Sequence, residues 1–208
     1  MLIESTKGLQ MKKWSLSFRI WHWLHALVVL GLLGTVFLRK TFLSWRTNSE
    51  ILATKLSTMD IDVSSEQAKA LAKAVRAPMW EWHILLGYAL AALLLIRIAL
   101  FFTRSGRQNF IDIGAYSLHK KMVKIGYIGI YAILAFMAVS GLLMTFSEPI
   151  GLVKETVNTI KEVHELVFNA VWIFVVLHIA GVVLADNTNE KGITSDMING
   201  CRRTDKND

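Results

Sequence analysis

The residues of this sequence best equipped for chemistry are its six histidines: His22, His25, His83, His119, His164 and His178. Imidazole binds metals and exchanges protons near neutral pH. Five of the six fall within or at the ends of long apolar segments, where an ionisable side chain is costly and marks a site. His164 and His178 stand fourteen residues apart in one segment. On a helix that spacing returns to within about 40° of the same face, about 21 Å further along. Such a pair suits two separate metal centres stacked along one axis and is far too distant to share one ion.

The elements that must position these residues are four apolar blocks, at about residues 18–38, 83–102, 122–146 and 163–185. Each is close to the roughly 20 residues that a helix needs to cross a bilayer. The blocks must be helices, because in lipid each must satisfy its own backbone hydrogen bonds. Barrel strands would be shorter and would alternate in polarity. Hydrophobic residues make up 53% of the 208-residue chain and charged residues only 19%, and the mean hydropathy is +0.43. The expected fold is therefore all-α: an integral membrane four-helix bundle forming a single domain over residues 1–208. The first block follows Lys12, Lys13 and Arg19 but leads into Arg39 and Lys40 instead of a small-residue cleavage site, so it reads as a retained helix and not a signal peptide.

Between the first and second blocks, residues 39 to 82 are too many for a simple turn. Within them SSEQAKALAKAVRAP reads as a short extramembrane helix, capped by Ser64 or Ser65 and stopped by Pro78. Trp80 and Trp82 mark the bilayer edge before the second span. The lone Cys201 excludes an intrachain disulfide and a Cys-rich iron–sulfur or zinc site. The net charge of +7 comes from residues flanking membrane spans, so nucleic acid is not an expected partner.

Positive charge places both termini in the cytoplasm. The N-terminus (Lys7, Lys12, Lys13, Arg19), the second loop (Arg104, Arg107, Lys120, Lys121, Lys124) and the tail (Lys191, Arg202, Arg203, Lys206) share that side. The basic residues of the first loop oppose this assignment but are fewer. His164 then lies near the outer surface and His178 near the inner one. The second span runs parallel to the fourth, with His83 at its outer end, and the first runs the other way, with His22 and His25 at its inner end. Depth alone pairs His83 with His164, and His22 or His25 with His178. Haem iron accepts axial imidazoles in this way, and helix bundles build cofactor sites from facing helices.

Arg19-Ile20-Trp21-His22-Trp23-Leu24, His83 followed by Gly87-Tyr88, and His164 with His178 resemble the bacterial di-haem cytochrome b superfamily. That superfamily includes prokaryotic cytochrome b561, the cytochrome b subunits of nickel–iron hydrogenases and the membrane subunit of formate dehydrogenase. The resemblance covers roughly residues 14 to 200. It implies that His22, of the His-Trp pair, is the first-helix ligand. It also implies electron exchange between a partner and the quinone pool in a bacterial inner membrane. The cofactor would be two haems b per chain, each bis-histidine ligated and non-covalent, since no C-x-x-C-H motif is present. Implied partners are membrane lipid, quinone, a periplasmic redox protein or a dehydrogenase or hydrogenase subunit, and a second copy in a homodimer. The chain would serve as an electron-transfer subunit or as a small quinone-linked oxidoreductase.

Further residues have candidate roles beside plainer ones. His25 can touch a propionate or relay protons to quinone at the inner side, where formate dehydrogenase subunits place quinone, or simply sit at the membrane edge. His119 can contact a propionate or quinone, or be surface. Arg97 lies fourteen residues after His83 and so at the depth of the inner centre. There it can pair with a propionate or snorkel to the interface. Gly87 and Gly181 can let a flat macrocycle approach the backbone, or serve helix packing. Tyr127, Tyr131, Met137 and Met144 read as packing. A histidine-dependent transporter or proton channel without haem is the alternative function, disfavoured by unbroken spans without repeats. A di-iron oxygenase would need histidines clustered more closely than His22 and His25 alone.

Overall fold

The computed structural model describes residues 15–102, 118–188 and 191–200, without the side chains of 101 and 118–123. All regular structure among them is helical: α1 (Leu16–Lys40), α2 (Trp45–Ser57), α3 (Ser65–Phe101), α4 (Leu118–Thr145), α5 (Lys154–Asn187) and α6 (Ile193–Asn199). Four of these, α1, α3, α4 and α5, are long and apolar enough to cross a membrane. They form the bundle, with α1 packed on α3, α3 on α4 and α4 on α5.

Local chemistry explains the ends. Ser15 caps α1 by accepting a hydrogen bond from the Phe18 amide. Ser64 caps α3 in a reciprocal box with Gln67: its hydroxyl accepts from the Gln67 amide, and the Gln67 side chain accepts from its own. Basic Arg39 and Lys40 occupy the last turn of α1, where the helix dipole favours positive charge.

The expected stop at Pro78 is corrected by the structure. The extramembrane helix and the second span are one continuous element of 37 residues, with Pro78 inside it. Proline removes one ladder hydrogen bond, the one that would go to the Ala74 carbonyl. Ala74 lies on an exposed stretch, so water can serve that carbonyl. The first half of α3 is thus a helical post continuous with the second span. An additional helix, α2, packs along this post, with Lys69 Nζ 5.3 Å from the centre of the Trp45 ring. Helix α5 likewise begins at Lys154, before the apolar block that opens at about residue 163. At the opposite end, the short α6 closes over the start of α1: Trp23 Nε1 donates to the Met197 carbonyl at 3.2 Å, and Arg19 donates to the Ile198 carbonyl.

The bundle core is Val29, Leu33, Leu90, Ile130, Leu134, Ala138 and Val171. These residues sit at mid-height, between the histidines at the two ends. Outside, large apolar side chains such as Leu95, Leu166 and Leu177 are exposed, as lipid-facing residues are. Residues 1–14, 103–117, 189–190 and 201–208, Cys201 among them, lie outside the described residues.

Candidate functional site

The five histidines whose side chains are described gather in two places, one at each end of the bundle. At the α6 end, the rings of His22 on α1 and His178 on α5 meet edge-on, with centres 6.3 Å apart and planes 60° apart. Metal–imidazole nitrogen bonds are about 2.0–2.1 Å, and each ring centre is roughly 1.1 Å from its nitrogen, so two axial imidazoles on one metal have centres about 6 Å apart. The observed spacing fits an iron between the rings. Phe174 stacks on His178 at 5.7 Å with an 8° tilt, which holds that ring in place.

At the α2 end, His83 on α3 and His164 on α5 line one cavity of about 360 Å³, within the range of about 300–1,000 Å³ usual for cofactor sites. The wall is largely apolar but includes the charged residues Arg39, Lys40, Lys161 and Glu165. Arg39 Nη1 lies 3.0 Å from Glu165 Oε1, and its guanidinium stacks 5.3 Å above Trp80. Each ligand candidate is held by a hydroxyl: Thr35 Oγ1 is 2.7 Å from His83 Nδ1, and Ser140 Oγ is 2.7 Å from His164 Nδ1. With each Nδ1 engaged, each Nε2 is the nitrogen left for a metal. A Cβ on Gly87 would meet nothing within 4 Å, and one on Gly141 would come 3.8 Å from His164 Cε1. Both glycines line the cavity, and a side chain on either would take space from an occupant.

Among the described residues, no group of three or more His, Cys, Asp or Glu side chains could hold a metal ion. The histidines instead come in twos. That donor set suits a metal whose other ligands arrive with it, as haem iron does.

Arg97 is buried, at 7% exposure, and does not snorkel. Its guanidinium carbon sits 5.5 Å from the Phe18 ring, 5.6 Å from Trp21 and 5.8 Å from Tyr131, each a favourable cation–π distance. Its Nε donates to Tyr131 Oη at 3.3 Å, while Nη1 is buried without a partner. The far side of this cluster is His25, stacked on Trp21 at 4.8 Å, with its Nε2 also buried and unpartnered. Trp21 is pinned by its own hydrogen bond to the Leu93 carbonyl at 2.7 Å. Two orphaned polar atoms thus flank one indole at the α6 end, beside His22.

Gly181 has open space at its Cβ position. His119 lies in the first turn of α4, and its side chain is outside the described residues. Tyr131 is more than packing, since it accepts from Arg97. Met137 and Met144 line the α2-end cavity. Reasoning from sequence passed over Thr35, Ser140 and Gly141. The signal available for the first two was a lone hydroxyl residue in an apolar span, but a hydroxyl can also bond back to its own helix, so residue type alone did not distinguish them.

The family model described as prokaryotic cytochrome b561 matches residues 13–200. No curated protein and no solved structure matches the chain.

Proposed function

The chain belongs to the prokaryotic cytochrome b561 family, a family of bacterial membrane b-type cytochromes in electron transfer, and from that premise we propose that it carries two haems b and moves electrons across the inner membrane between a periplasmic donor and the quinone pool. The observation that carries this reading is the placement of two histidine pairs at opposite ends of one bundle, with His22 and His178 spaced for a shared metal and His83 and His164 in one cavity. His164 and His178 occupy one helix about 21 Å apart, so the two sites are stacked across the apolar core.

Bound haem supplies a one-electron iron couple whose potential the protein sets through ligands, hydrogen bonds and burial. The chain's own residues do the rest. His22 and His178 hold the inner group, and His83 and His164 the outer one. Arg39, Lys40 and Lys161, which line the outer cavity, offer positive charge to propionates. The mid-bundle core excludes water between the sites. Both termini lie in the cytoplasm, so the α6 end is the inner side. There, His25, whose Nε2 is buried beside Trp21, supplies the proton-exchanging nitrogen for the conversion of a quinone to a quinol, which takes up two electrons and two protons. Arg97 Nη1 supplies a fixed donor for a propionate.

The test is haem stoichiometry on the purified full-length protein. Pyridine haemochrome analysis should give two haems b per chain. His164→Ala and His178→Ala should each lose one, and a redox titration should show that they lose different components. One haem per chain, or loss of the same component in both variants, overturns the reading.

A further inference from the structure

Thr35 and Ser140 stand on different helices, yet they do the same thing. Each hydroxyl is buried, Thr35 at 7% exposure and Ser140 at 3%. Each lies 2.7 Å from the Nδ1 of a histidine on another helix. Each also lies against a carbonyl of its own helix: Thr35 Oγ1 is 2.6 Å from the Leu32 oxygen, and Ser140 Oγ is 2.7 Å from that of Phe136 and 3.2 Å from that of Met137.

The direction of these bonds follows from counting protons. A hydroxyl has one hydrogen and two lone pairs, and a backbone carbonyl only accepts. The single hydroxyl hydrogen is therefore committed to the carbonyl, so the contact with histidine must run the other way, from Nδ1–H to the hydroxyl oxygen. Both imidazoles are thereby fixed as the tautomer that bears a lone pair on Nε2, the form that ligates a metal. The relay from Nδ1–H through O–H to O=C also polarises itself, because a hydroxyl that donates is a better acceptor. Burial keeps water from substituting for either link. Ordinary back-bonding to the helix carbonyl would satisfy each hydroxyl without a histidine, so it does not account for two imidazoles meeting two such hydroxyls. Among the described residues, no side chain hydrogen-bonds His22 or His178, so the device belongs to the α2 end.

We propose that Thr35 and Ser140 are positioning residues that set the tautomer and orientation of His83 and His164 and, by making both imidazoles stronger donors, hold the reduction potential of the outer haem below what the same ligands would otherwise give. A ligand-bound histidine that donates its second N–H becomes more basic, and a more basic axial ligand favours oxidised iron. This rests on the di-haem reading, in which His83 and His164 share one haem.

The experiment is a redox titration of the full-length, haem-loaded protein in membranes or detergent. The outer component is first identified as the one missing from His164→Ala. Thr35→Val keeps the shape and removes the hydroxyl, and Ser140→Ala does the same at the other ligand. Each should weaken the preference for oxidised haem roughly tenfold, an upward shift of about 59 mV for one electron, with the inner component unmoved. Thr35→Ser and Ser140→Thr should retain the wild-type potential. Loss of the outer haem in Thr35→Val but not in Thr35→Ser also supports the proposal, since the hydroxyl is then needed to hold the ring. An unchanged outer potential in both hydroxyl-free variants, or equal shifts at the two haems, overturns it. If no component disappears in His164→Ala, it is the ligand assignment that fails.

Discussion

Replacing Arg97 by glutamine removes a buried positive charge from the α6 end of the bundle, and the size of the effect can be worked from its surroundings. The guanidinium carbon is 5.6 Å from the Trp21 ring, and Trp21 adjoins His22. Both groups belong to the α6 end, and the separation between the charge and a metal on His22 is taken as on the order of 10 Å. With an effective dielectric constant of about 20, a unit charge at that distance is worth about 1.7 kcal/mol. For a one-electron couple, where tenfold is about 59 mV, that is about 70 mV. A positive charge stabilises the reduced, more negative haem, so its removal lowers the midpoint potential of the inner haem by roughly that amount. The outer haem, about 21 Å further along the bundle, should move by less than half as much. Spectroelectrochemical titration of Arg97→Gln against wild type reads both components. Arg97→Lys keeps the charge and should stay near the wild-type potential, even though the cation–π cage of Phe18, Trp21 and Tyr131 is built around a guanidinium. Equal shifts at both haems, no shift, or the same fall in Arg97→Lys would refute the electrostatic reasoning.

Two further outcomes are expected. His25→Phe retains an aromatic ring to stack on Trp21 but loses the proton-carrying nitrogen, so both haems should remain while stopped-flow reoxidation by a quinone analogue slows by about 10²-fold or more; unchanged reoxidation would move quinone chemistry away from His25. Gly87→Leu puts a branched side chain into the cavity between His83 and His164; overpacking costs about 1–3 kcal/mol, so haem affinity at the α2 end should fall roughly tenfold or more, read as loss of one component in the redox titration with the other retained.

The continuity of α3 through Pro78 bears on the surroundings of His83. One continuous helix carries both His83 and the post on which α2 packs, so the two are joined by unbroken helical backbone. Trp80, near the base of this post, contacts Arg39, Arg76 and His83 at ring-centre distances of 5.3, 6.0 and 5.6 Å, and so joins the surface charges to the histidine below them.

Sequence alone determined the all-helical class, the four spans and the likeness to its family, because each rests on features that do not need a third dimension. Apolar length makes a span, and a fourteen-residue interval on a helix has a definite angle and rise. Tertiary structure decided what depends on a neighbour from another helix. Pro78 is absorbed into α3 where the chain around Ala74 is exposed and α2 packs alongside, and neither feature is written in the local propensity that predicts a break there. Whether Arg97 snorkels or stays inside was settled by three aromatic rings from α1 and α4, residues far from it in the chain. Thr35 and Ser140 became legible only once helix packing set their hydroxyls against His83 and His164, since a hydroxyl in an apolar span can serve its own helix just as well and nothing in residue type separates the two uses.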